Sequence, residues 1–347
     1  MQQKGSEIDS ALRDLQKRFG KHVVYDLEEG PGPTPYAASL IPTGFISLDW
    51  VLDGGILPGR VMEIFGPEGV GKTTLVYHLA AAVQRARPGE KCVFVNTEYA
   101  FDDDYYMACG GDSSQIIIVN PDDGDQALEA TRKFVEAGSP LVIVDSVAGL
   151  VPKAELEGAV GDRHIGLMAR LMNQSLRIIG PGASRTGSIV IFVNQIRYKI
   201  GVTFGNPETT PGGQGLRFHS SVRLDMRRVR SVKSGTDIIG AETRIKCLKN
   251  KWGMPWRTAV VEIRFGEGIQ RVSDLVNWGD EKGVLVKRGS YYYYIVDDVE
   301  VTLGQGRVAA TQYLIDHPDL AREVEWALRG ALGLVREEKP DSSSETV

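Results

Sequence analysis

A glycine-rich segment at residues 66–74 has the residue types and spacing of a phosphate-binding loop. It reads Gly-Pro-Glu-Gly-Val-Gly-Lys-Thr-Thr and fits G-x-x-x-x-G-K-S/T, between a predicted strand and a helix predicted over 72–86. In such a loop the backbone N–H groups surround phosphate oxygens, and the start of the helix adds partial positive charge. Lys72 would supply a cation, and the Thr73 hydroxyl would bind Mg²⁺. The candidate nucleotide-binding residues are Gly66, Pro67, Glu68, Gly69, Val70, Gly71, Lys72, Thr73 and Thr74.

Acidic residues follow two further predicted strands. Asp145 ends an apolar run at 141–145, and Glu98 comes shortly after a run at 92–96. Because the carboxyl ends of parallel strands meet at the ligand-binding edge of a sheet, Asp145 could hold the metal and Glu98 could act as a base on water. For Glu98 a solvated surface position fits the residues equally well. Ser146 is expected to orient a neighbour by hydrogen bonding, because no G-x-S-x-G elbow surrounds it.

Two more segments carry groups that could contact a nucleotide or a nucleic acid. Residues 102–106 are acidic and aromatic, so they form either a stacking face for adenine or a solvated acidic turn. Residues 197–233 contain eight Lys or Arg and two acids, a net charge of +6 in a chain of net charge -5. A cationic strip of this kind suits a phosphate backbone and predicts binding that weakens with salt. On the residues alone, a solvated basic strand is an equally good interpretation.

The composition limits the class of protein. The chain has 347 residues, 42% of them hydrophobic and 24% charged, which allows one large core and one or two small additional domains. No apolar run is long enough to cross a bilayer, and the polar N-terminus lacks the apolar core of a secretion signal. Three cysteines without C-x-x-C spacing disfavour a disulfide scaffold or a zinc ribbon. These observations predict a reduced, cytoplasmic protein without a membrane segment.

The elements that must position these residues form an α/β pattern. Short β-branched runs alternate with helical patterns between residues 40 and 270, which predicts a mostly parallel twisted sheet. The first five predicted strands are separated by helices or loops, as in a sheet covered on both faces, whereas the last three are expected to be antiparallel additions. The predicted strands are 61–65, 92–96, 116–119, 141–145, 188–194, 220–228, 243–249 and 259–265.

Segments of different character flank this core. An apolar face at helical spacing within 7–19 must dock either on the same molecule or on another copy, and a Pro- and Gly-rich linker follows it. Its apolar residues are Ile8, Leu12, Leu15 and Phe19. A small α+β module with a tyrosine run precedes a polar tail. The predicted units are an N-terminal helix and linker (1–35), a core (36–270), a C-terminal domain (271–335) and a disordered tail (336–347).

Seven sequence segments together resemble the bacterial and phage RecA recombinase family. They occur in the family's order and spacing, and the resemblance runs from about residue 11 to residue 332. The segments are GPEGVGKTTL, VDSVAGLVPKAELEG, GDRHIGLMARLMNQ, VNQIRYKIGVTFGNPETTPGG, SVRLDMRR, ETRIKCLKNK and FGEGI. The resemblance implies a RecA-type P-loop core and an ATP- and Mg²⁺-dependent recombinase. Such a protein forms helical filaments of itself on single-stranded DNA and pairs that strand with double-stranded DNA in recombination and repair. A LexA-like repressor is a further candidate partner.

The resemblance also implies roles for individual residues. Glu98 matches the catalytic glutamate, Asp145 the second acid of the metal site, and Gln195 the sensor of the γ-phosphate. Asp102 and Tyr105 match contacts to adenine.

Further matches concern neighbouring copies and DNA. Lys249 and Lys251 match catalytic lysines that reach the ATP of the neighbouring protomer, and Phe218 matches an interface residue. Residues 157–165 and 195–213 match the family's two DNA loops and are called the first and second loop segments below. The residues at or near DNA-contact positions are Arg170, Arg177, Arg197, Lys199, Thr209, Gly212 and Gly213.

Some residues depart from the family pattern or stand outside it. Residues 69–70 replace small hydroxyl residues, and Phe265 replaces an aromatic residue with a hydroxyl near the neighbour's nucleotide. Pro211 interrupts the end of the second loop segment and is expected to stiffen it. Trp252 and Trp256 are expected to pack in the core.

Two other functions fit part of the sequence. A hexameric ring motor or helicase on the same fold would need an arginine finger from a neighbour and no N-terminal hook. The Lys-Asn-Lys sequence at 249–251 and the N-terminal helix therefore disfavour it. A DNA-binding mediator with a degenerate nucleotide site is disfavoured by the intact Lys72, Thr73, Glu98 and Asp145.

Overall fold

The computed structural model describes residues 2–21, 23–26, 40–158, 166–198, 201, 205, 207–296 and 299–334. The helices in these ranges are α1 (Gln2–Phe19), α2 (Ile46–Leu52), α3 (Lys72–Ala86), α4 (Asp103–Ala108), α5 (Gly124–Glu136), α6 (Lys153–Leu156), α7 (Leu167–Thr186), α8 (Gly213–His219), α9 (Arg271–Glu281), α10 (Gly306–Asp316) and α11 (Pro318–Ala331). The strands are β1 (Val61–Gly66), β2 (Cys92–Asn96), β3 (Ile116–Val119), β4 (Leu141–Asp145), β5 (Ile189–Gln195), β6 (Arg197–Tyr198), β7 (Glu208–Thr209), β8 (Val222–Ser234), β9 (Asp237–Asn250), β10 (Thr258–Arg264), β11 (Gly268–Ile269), β12 (Leu285–Arg288), β13 (Tyr291–Val296) and β14 (Val299–Gln305).

The main sheet is mostly parallel, as the sequence predicts. Its strand order is β11-β10-β9-β8-β1-β5-β4-β2-β3, and all neighbours from β8 to β3 in that order are parallel. Strands β9, β10 and β11 extend the sheet in antiparallel fashion. The α/β fold class is therefore confirmed.

Apolar residues on both faces of the central strands explain why the sheet lies inside the molecule. In β1, Met62 and Ile64 pack into the apolar cluster that includes α2 and α3. Val61 packs instead with residues of α5 and α7, because successive side chains of a strand point to opposite faces. Parallel sheets covered on both faces have such nearly continuous apolar strands. This packing fixes the carboxyl ends of the strands at one edge.

All eight predicted core strands are present, but one predicted direction is wrong. The sequence predicts an antiparallel β8, whereas β8 pairs in parallel with β1, with Val222 opposite Met62. The reason is the connection that precedes it. Helix α8 packs against α7 and carries the chain back to the amino edge of the sheet, so β8 starts beside the start of β1.

The residues from 271 to 334 form a smaller unit with a three-stranded sheet, β12-β13-β14. The tyrosine run is strand β13, in which Tyr292 and Tyr294 are buried and Tyr291 is exposed. This alternation places every second tyrosine in the core of the unit. Arg329 of α11 donates a hydrogen bond to Asp49 of α2 at 2.8 Å, so an ion pair joins the unit to the core.

The prediction that Trp252 and Trp256 pack in the core is wrong. Their side chains are 55% and 64% exposed at the turn between β9 and β10. Trp256 has a φ angle of 72°, and its N–H donates to the carbonyl of Cys247 at 2.6 Å. These backbone constraints hold the turn outside the packed sheet. The ammonium group of Lys246 lies 5.5 Å from the Trp256 ring and partly covers it.

The N-terminal helix α1 presents its apolar face to solvent. Ile8 is 69% exposed, and Leu15 and Phe19 are also exposed. Among the described residues, none buries these three side chains, so docking on the same molecule, one of the two predicted alternatives, is not seen there. Aligned apolar side chains that remain in water are typical of an interaction site.

Candidate nucleotide site and nucleic-acid interface

A cleft of about 900 Å³ lies at the carboxyl edge of the parallel strands. The phosphate loop connects β1 to α3 there, and the paired positions Gly66 and Gln195 place the end of β5 beside it. In the same way Asn96 pairs with Asp145, which joins the ends of β2 and β4. The cleft is lined by Glu68, Gly69, Val70, Gly71, Lys72, Thr73, Thr74, Glu98, Asp102, Asp104, Tyr105, Asp145, Gln195, Ala241, Thr243, Ile263, Phe265 and Gly266.

The phosphate loop needs glycine for steric reasons. Gly71 has a φ angle of 89°, and a Cβ atom there would lie 2.4 Å from the Cδ1 atom of Ile263. A Cβ atom on Gly66 would lie 2.3 Å from the carbonyl oxygen of Met226. The loop is also held from β9, because the Thr243 hydroxyl donates to the Val70 carbonyl at 3.1 Å. Strands β8, β9 and β10 therefore fix the path of the loop.

The Lys72 ammonium group bonds to the loop itself. Its Nζ atom donates to the carbonyl of Pro67 at 2.6 Å and to that of Gly66 at 3.2 Å. Burial lowers the pKa of Lys72, and the charges of the nearby carboxylates oppose that shift. An anion in the cleft would compete with these two carbonyls for the ammonium protons.

Thr73 and Asp145 meet at the start of α3. The Thr73 hydroxyl donates to Oδ2 of Asp145 at 2.8 Å. Burial raises the pKa of Asp145 to about 6; the hydrogen bond from Thr73 opposes this shift, and repulsion from Glu98 adds to it. Hydroxyl and carboxylate oxygens are the ligands that Mg²⁺ prefers when it also binds phosphate oxygens. The two side chains therefore fit a Mg²⁺ site beside the phosphate loop.

Glu98 lies between two donors. The Ser146 hydroxyl donates to its Oε1 atom, and the side-chain amide of Gln195 donates to the same atom at 3.2 Å. The prediction that Ser146 orients a neighbour by hydrogen bonding is confirmed. Because Glu98 is exposed and lines the cleft, its second carboxylate oxygen is available to a water molecule.

Aromatic side chains form the wall at the other end of the cleft. The Tyr105 hydroxyl is 2.9 Å from the Thr74 hydroxyl, which fixes the Tyr105 ring against α3. Asp102 caps α4 by accepting the Tyr105 N–H at 3.0 Å. Tyr106, by contrast, is fully buried and belongs to the core. Phe265 lines the cleft of its own chain, from the turn after β10.

A cluster of interface candidates lies at the opposite, amino edge of the sheet. The Lys249 ammonium group donates to the carbonyls of Arg217 at 2.9 Å and Phe218 at 3.0 Å, and Lys251 approaches the Phe218 carbonyl at 3.5 Å. The Phe218 side chain is 69% exposed. None of these side chains lines the described cleft. They could complete a nucleotide site only in another copy.

The predicted DNA contacts lie on α7 and on the second loop segment. Arg170 and Arg177 are exposed on α7, and Arg197 of β6 pairs with Thr209 of β7. Lys199 and most of the first loop segment lie outside the described residues.

Gly212 and Gly213 end the second loop segment against α7. Both have positive φ angles, of 84° and 72°. A Cβ atom on Gly213 would lie 2.8 Å from the Cβ atom of Ala169. These two glycines are needed for close packing of the chain as well as for freedom of the loop.

The structure contains a buried polar network beside the site that the sequence did not predict. Glu63, in the middle of β1, accepts from Arg223 at 2.5 Å and from Asn194 at 3.0 Å. The signal that could have revealed it is the single acid inside the apolar run at 61–65. Residues of β9 and β10 that line the cleft, such as Thr243 and Ile263, carry no comparable signal.

Known proteins with the same pattern cover nearly the whole chain. The RecA N-terminal domain family matches residues 6–270, and the RecA C-terminal domain family matches residues 273–333. Protein RecA of Streptomyces avermitilis is 45% identical over 96% of this chain and 87% of its own length. Protein RecA of Bacillus velezensis is 42% identical over 99% of this chain and 97% of its own length.

A solved structure supports the fold. The crystal structure of the RadB recombinase matches with a TM-score of 0.51 and 22% identity, over 66% of this chain and 98% of that chain. That likeness concerns the arrangement of helices and strands. Together with the two domain matches and the identity over nearly full length, it leads to one assignment: the chain belongs to the RecA family.

Proposed function

We propose that this chain, loaded with ATP and Mg²⁺, forms a helical filament on single-stranded DNA and pairs that strand with a homologous duplex. As a member of the RecA family it is a DNA-dependent ATPase and recombinase of DNA recombination and repair. The observation that carries the proposal is the placement of its groups. The candidate phosphate and Mg²⁺ ligands line one cleft at the carboxyl edge of the sheet, whereas Lys249 and Lys251, which do not line that cleft, lie at the amino edge.

The nucleotide binds with its phosphates in the loop at 66–74. Lys72 exchanges its bonds to loop carbonyls for bonds to phosphate oxygens, and the loop N–H groups surround those oxygens. Thr73 and Asp145 hold Mg²⁺, which when bound neutralises charge on the phosphates. Asp102 and Tyr105 position adenine at the aromatic end of the cleft.

Glu98 orients the attacking water molecule, and a proton of that water can pass to the Glu98 carboxylate. Gln195 donates a hydrogen bond to Glu98 and is the first residue of the second loop segment, so it could report the γ-phosphate to the DNA site. Ser146 keeps the Glu98 carboxylate in place.

The site is completed by another copy. Lys249 and Lys251 reach the neighbour's phosphates and stabilise the charge that develops during hydrolysis, as an arginine finger does in other ATPases. Phe218 packs into that neighbour, and the exposed apolar face of α1 attaches to the core of an adjoining copy. Hydrolysis therefore depends on assembly.

Single-stranded DNA binds along the two loop segments. Arg170, Arg177, Arg197 and Lys199 contact phosphates, and the Thr209 hydroxyl can bond to the strand. Gly212 and Gly213 let the backbone approach the strand closely. The net charge of +6 on residues 197–233 favours this path.

Two narrower parts of the proposal concern the cell. No helix in the described part of the chain is long and apolar enough to cross a membrane. We place the protein in the cytoplasm and retain a LexA-like repressor as a candidate partner, both on family resemblance.

ATP hydrolysis with and without a single-stranded oligonucleotide, together with electron microscopy, tests the proposal. We expect hydrolysis to rise with DNA and helical filaments to appear with ATP. Closed six-membered rings would favour the ring motor or helicase. A protein that stays monomeric and leaves ATP intact would contradict the whole proposal.

A further inference from the structure

Asn194 is the last fully buried residue of β5 and makes three side-chain hydrogen bonds. Its Nδ2 atom donates to Oε1 of Glu63 at 3.0 Å and to the carbonyl of Pro211 at 3.0 Å. Its Oδ1 atom accepts the backbone N–H of Gln195 at 3.0 Å. The orientation of the amide is unambiguous, because the carboxylate and the carbonyl can only accept and the backbone N–H can only donate.

Asn194 also belongs to a buried ion pair, which is more than a purely space-filling side chain requires. Glu63 is completely buried, and its other oxygen accepts from Nε of Arg223, whose guanidinium group lies 4.6 Å from the centre of the Phe65 ring. Burial removes the hydration of an ion pair. The attraction between the charges offsets this loss of free energy only when the geometry is good and further hydrogen bonds are made to the charged groups. Here Asn194 donates to the Glu63 oxygen that Arg223 does not bind, so the ion pair and the amide form one unit.

The Asn194 amide connects the two ends of the second loop segment. Pro211 lies near its last residue, and Gln195 is its first residue and contacts Glu98 in the cleft. The amide group of Asn194 is planar. If the Pro211 carbonyl moves and the amide rotates with it, the Oδ1 atom that accepts the Gln195 N–H must move too. Glu63 provides the fixed point about which this happens.

We propose that Asn194 is a positioning residue that transmits the state of the Pro211 end of the second loop segment to Gln195 and hence to Glu98. This inference rests on the proposed function, since it assigns Asn194 to the DNA stimulation of ATP hydrolysis. Glu63 and Arg223 serve as its rigid support.

Two substitutions of Asn194 test this connection, and they differ in whether the contact with the Gln195 N–H is kept. Asn194→Ala removes all three side-chain hydrogen bonds, whereas Asn194→Asp keeps an oxygen for the Gln195 N–H and loses the donors to Glu63 and Pro211. Thr131→Val, in α5, is the control, because it removes a buried hydrogen bond of 2.8 Å to the Ala127 carbonyl. Each protein is tested for ATP hydrolysis with and without an oligo(dT) strand, for KM and kcat, and for its thermal unfolding midpoint.

Both Asn194 variants should lose about tenfold of the stimulation by DNA, within the usual range of coupling between sites. Hydrolysis without DNA and the KM for ATP should change by less than about twofold, a split that a loss of stability alone does not produce. The control should keep full stimulation. Full stimulation in both Asn194 variants would overturn the inference. If the wild-type protein itself shows no stimulation by DNA, the proposed function fails instead.

Hydrogen exchange on the wild-type protein provides a test that does not depend on folding of the variants. Adding the oligo(dT) strand without nucleotide should change the exchange rate of the Gln195 amide. An unchanged rate at Gln195, while peptides from 207–213 become protected, would show that the loop end is not connected to it.

Discussion

The Lys72 ammonium group donates hydrogen bonds to the loop carbonyls of Gly66 and Pro67. A cation in this position has already lost part of its hydration, so a triphosphate replaces weak neutral acceptors with charged ones. The binding energy of the phosphates thus depends strongly on one side chain.

Lys72→Ala should abolish ATP hydrolysis and weaken nucleotide binding by at least about 2 kcal/mol, because a hydrogen-bonded charge is removed. Hydrolysis assays and titration with a fluorescent ATP analogue measure the two effects. Lys91→Ala, which removes an exposed lysine bonded to the Ser114 carbonyl, is the matched control. Hydrolysis at the wild-type rate by Lys72→Ala would show that the phosphates bind elsewhere.

Glu98→Gln keeps the shape of the side chain and removes the base. The variant should bind ATP normally and hydrolyse it about a hundredfold or more slowly, since general-base catalysis contributes on this scale. Filaments formed with ATP should consequently persist for longer in electron micrographs. Glu136→Gln on α5 is the control, and rapid hydrolysis by Glu98→Gln would mean that another group activates water.

Arg197→Ala should weaken binding to single-stranded DNA equally for all sequences. The plot of log affinity against log salt concentration should also become shallower by about one contact. Fluorescence anisotropy at several salt concentrations measures both quantities. Arg132→Ala removes an arginine that is paired with Glu129 and Glu136 on α5, and it should leave the slope unchanged. If the slope for Arg197→Ala equals that of the wild-type protein, Arg197 does not contact a phosphate.

Among the elements, the sequence predicts best where the pattern is local. The runs of β2 and β4 are predicted to the residue, because burial on both faces demands nearly continuous apolar side chains. The half-buried edge strand β3 and the helix after the phosphate loop are also predicted to the residue. The direction of β8 depends on the path of α8, which no local pattern contains. The positions of Trp252 and Trp256 depend on a turn that projects from the sheet.

The site follows the same rule. The phosphate loop is one continuous segment with a recognisable pattern, so its residues are predictable together. The buried network of Glu63, Asn194 and Arg223 draws on three strands, and its members become neighbours only through the register of the sheet. Pairing of this kind is a tertiary property, and spacing along the chain does not reveal it.

Helix α1 provides a prediction at the same scale. Ile8→Ser combined with Phe19→Ser should leave the thermal unfolding midpoint unchanged within about 2 °C, because both side chains are exposed in a single copy. Filament formation should be lost, and DNA-stimulated hydrolysis with it. Light scattering and electron microscopy provide the measurement, with Asp9→Ser as a polar control on the same helix. Filaments of normal length would rule out α1 as the attachment element.

At the scale of the whole molecule, a buried hydrogen bond to an acid joins the C-terminal unit to the core. Asp274 of α9 accepts the Ser47 N–H of α2 at 3.1 Å, and its buried Oδ1 atom has no hydrogen-bond partner among the described residues. Burial raises the pKa of Asp274 to about 7, and repulsion from Asp49 and Glu325 adds to the shift. The folded protein therefore holds this proton more tightly than the unfolded chain, whose aspartate has its ordinary pKa of 3.8.

The sign of the pH dependence follows from this difference. Between pH 4 and pH 7, roughly, the folded state carries the proton and the unfolded state loses it, so this group makes the free energy of unfolding fall as pH rises. Asp274→Asn keeps an acceptor for Ser47 and removes the charge. It should raise the free energy of unfolding at pH 8 by at least about 1 kcal/mol and have less effect at pH 5.

Urea denaturation of both proteins at pH 5, 6, 7 and 8 measures this difference. Asp237→Asn, at the exposed turn between β8 and β9, is the control for loss of one negative charge. A stabilisation by Asp274→Asn that is equal at all four pH values would contradict the assignment to Asp274.

The placement of the cleft and the Lys249–Phe218 cluster on opposite edges of the sheet also limits the symmetry of the proposed assembly. Two copies related by a twofold axis would have to present the same patch to each other, and here the complementary patches lie on opposite edges of the sheet. In the proposed filament, one terminus would therefore present an uncapped cleft and the other an unpartnered lysine cluster. Such a filament would be polar. The terminal subunit with the uncapped cleft would hydrolyse its nucleotide inefficiently, so we expect growth and loss of subunits to be faster at different ends.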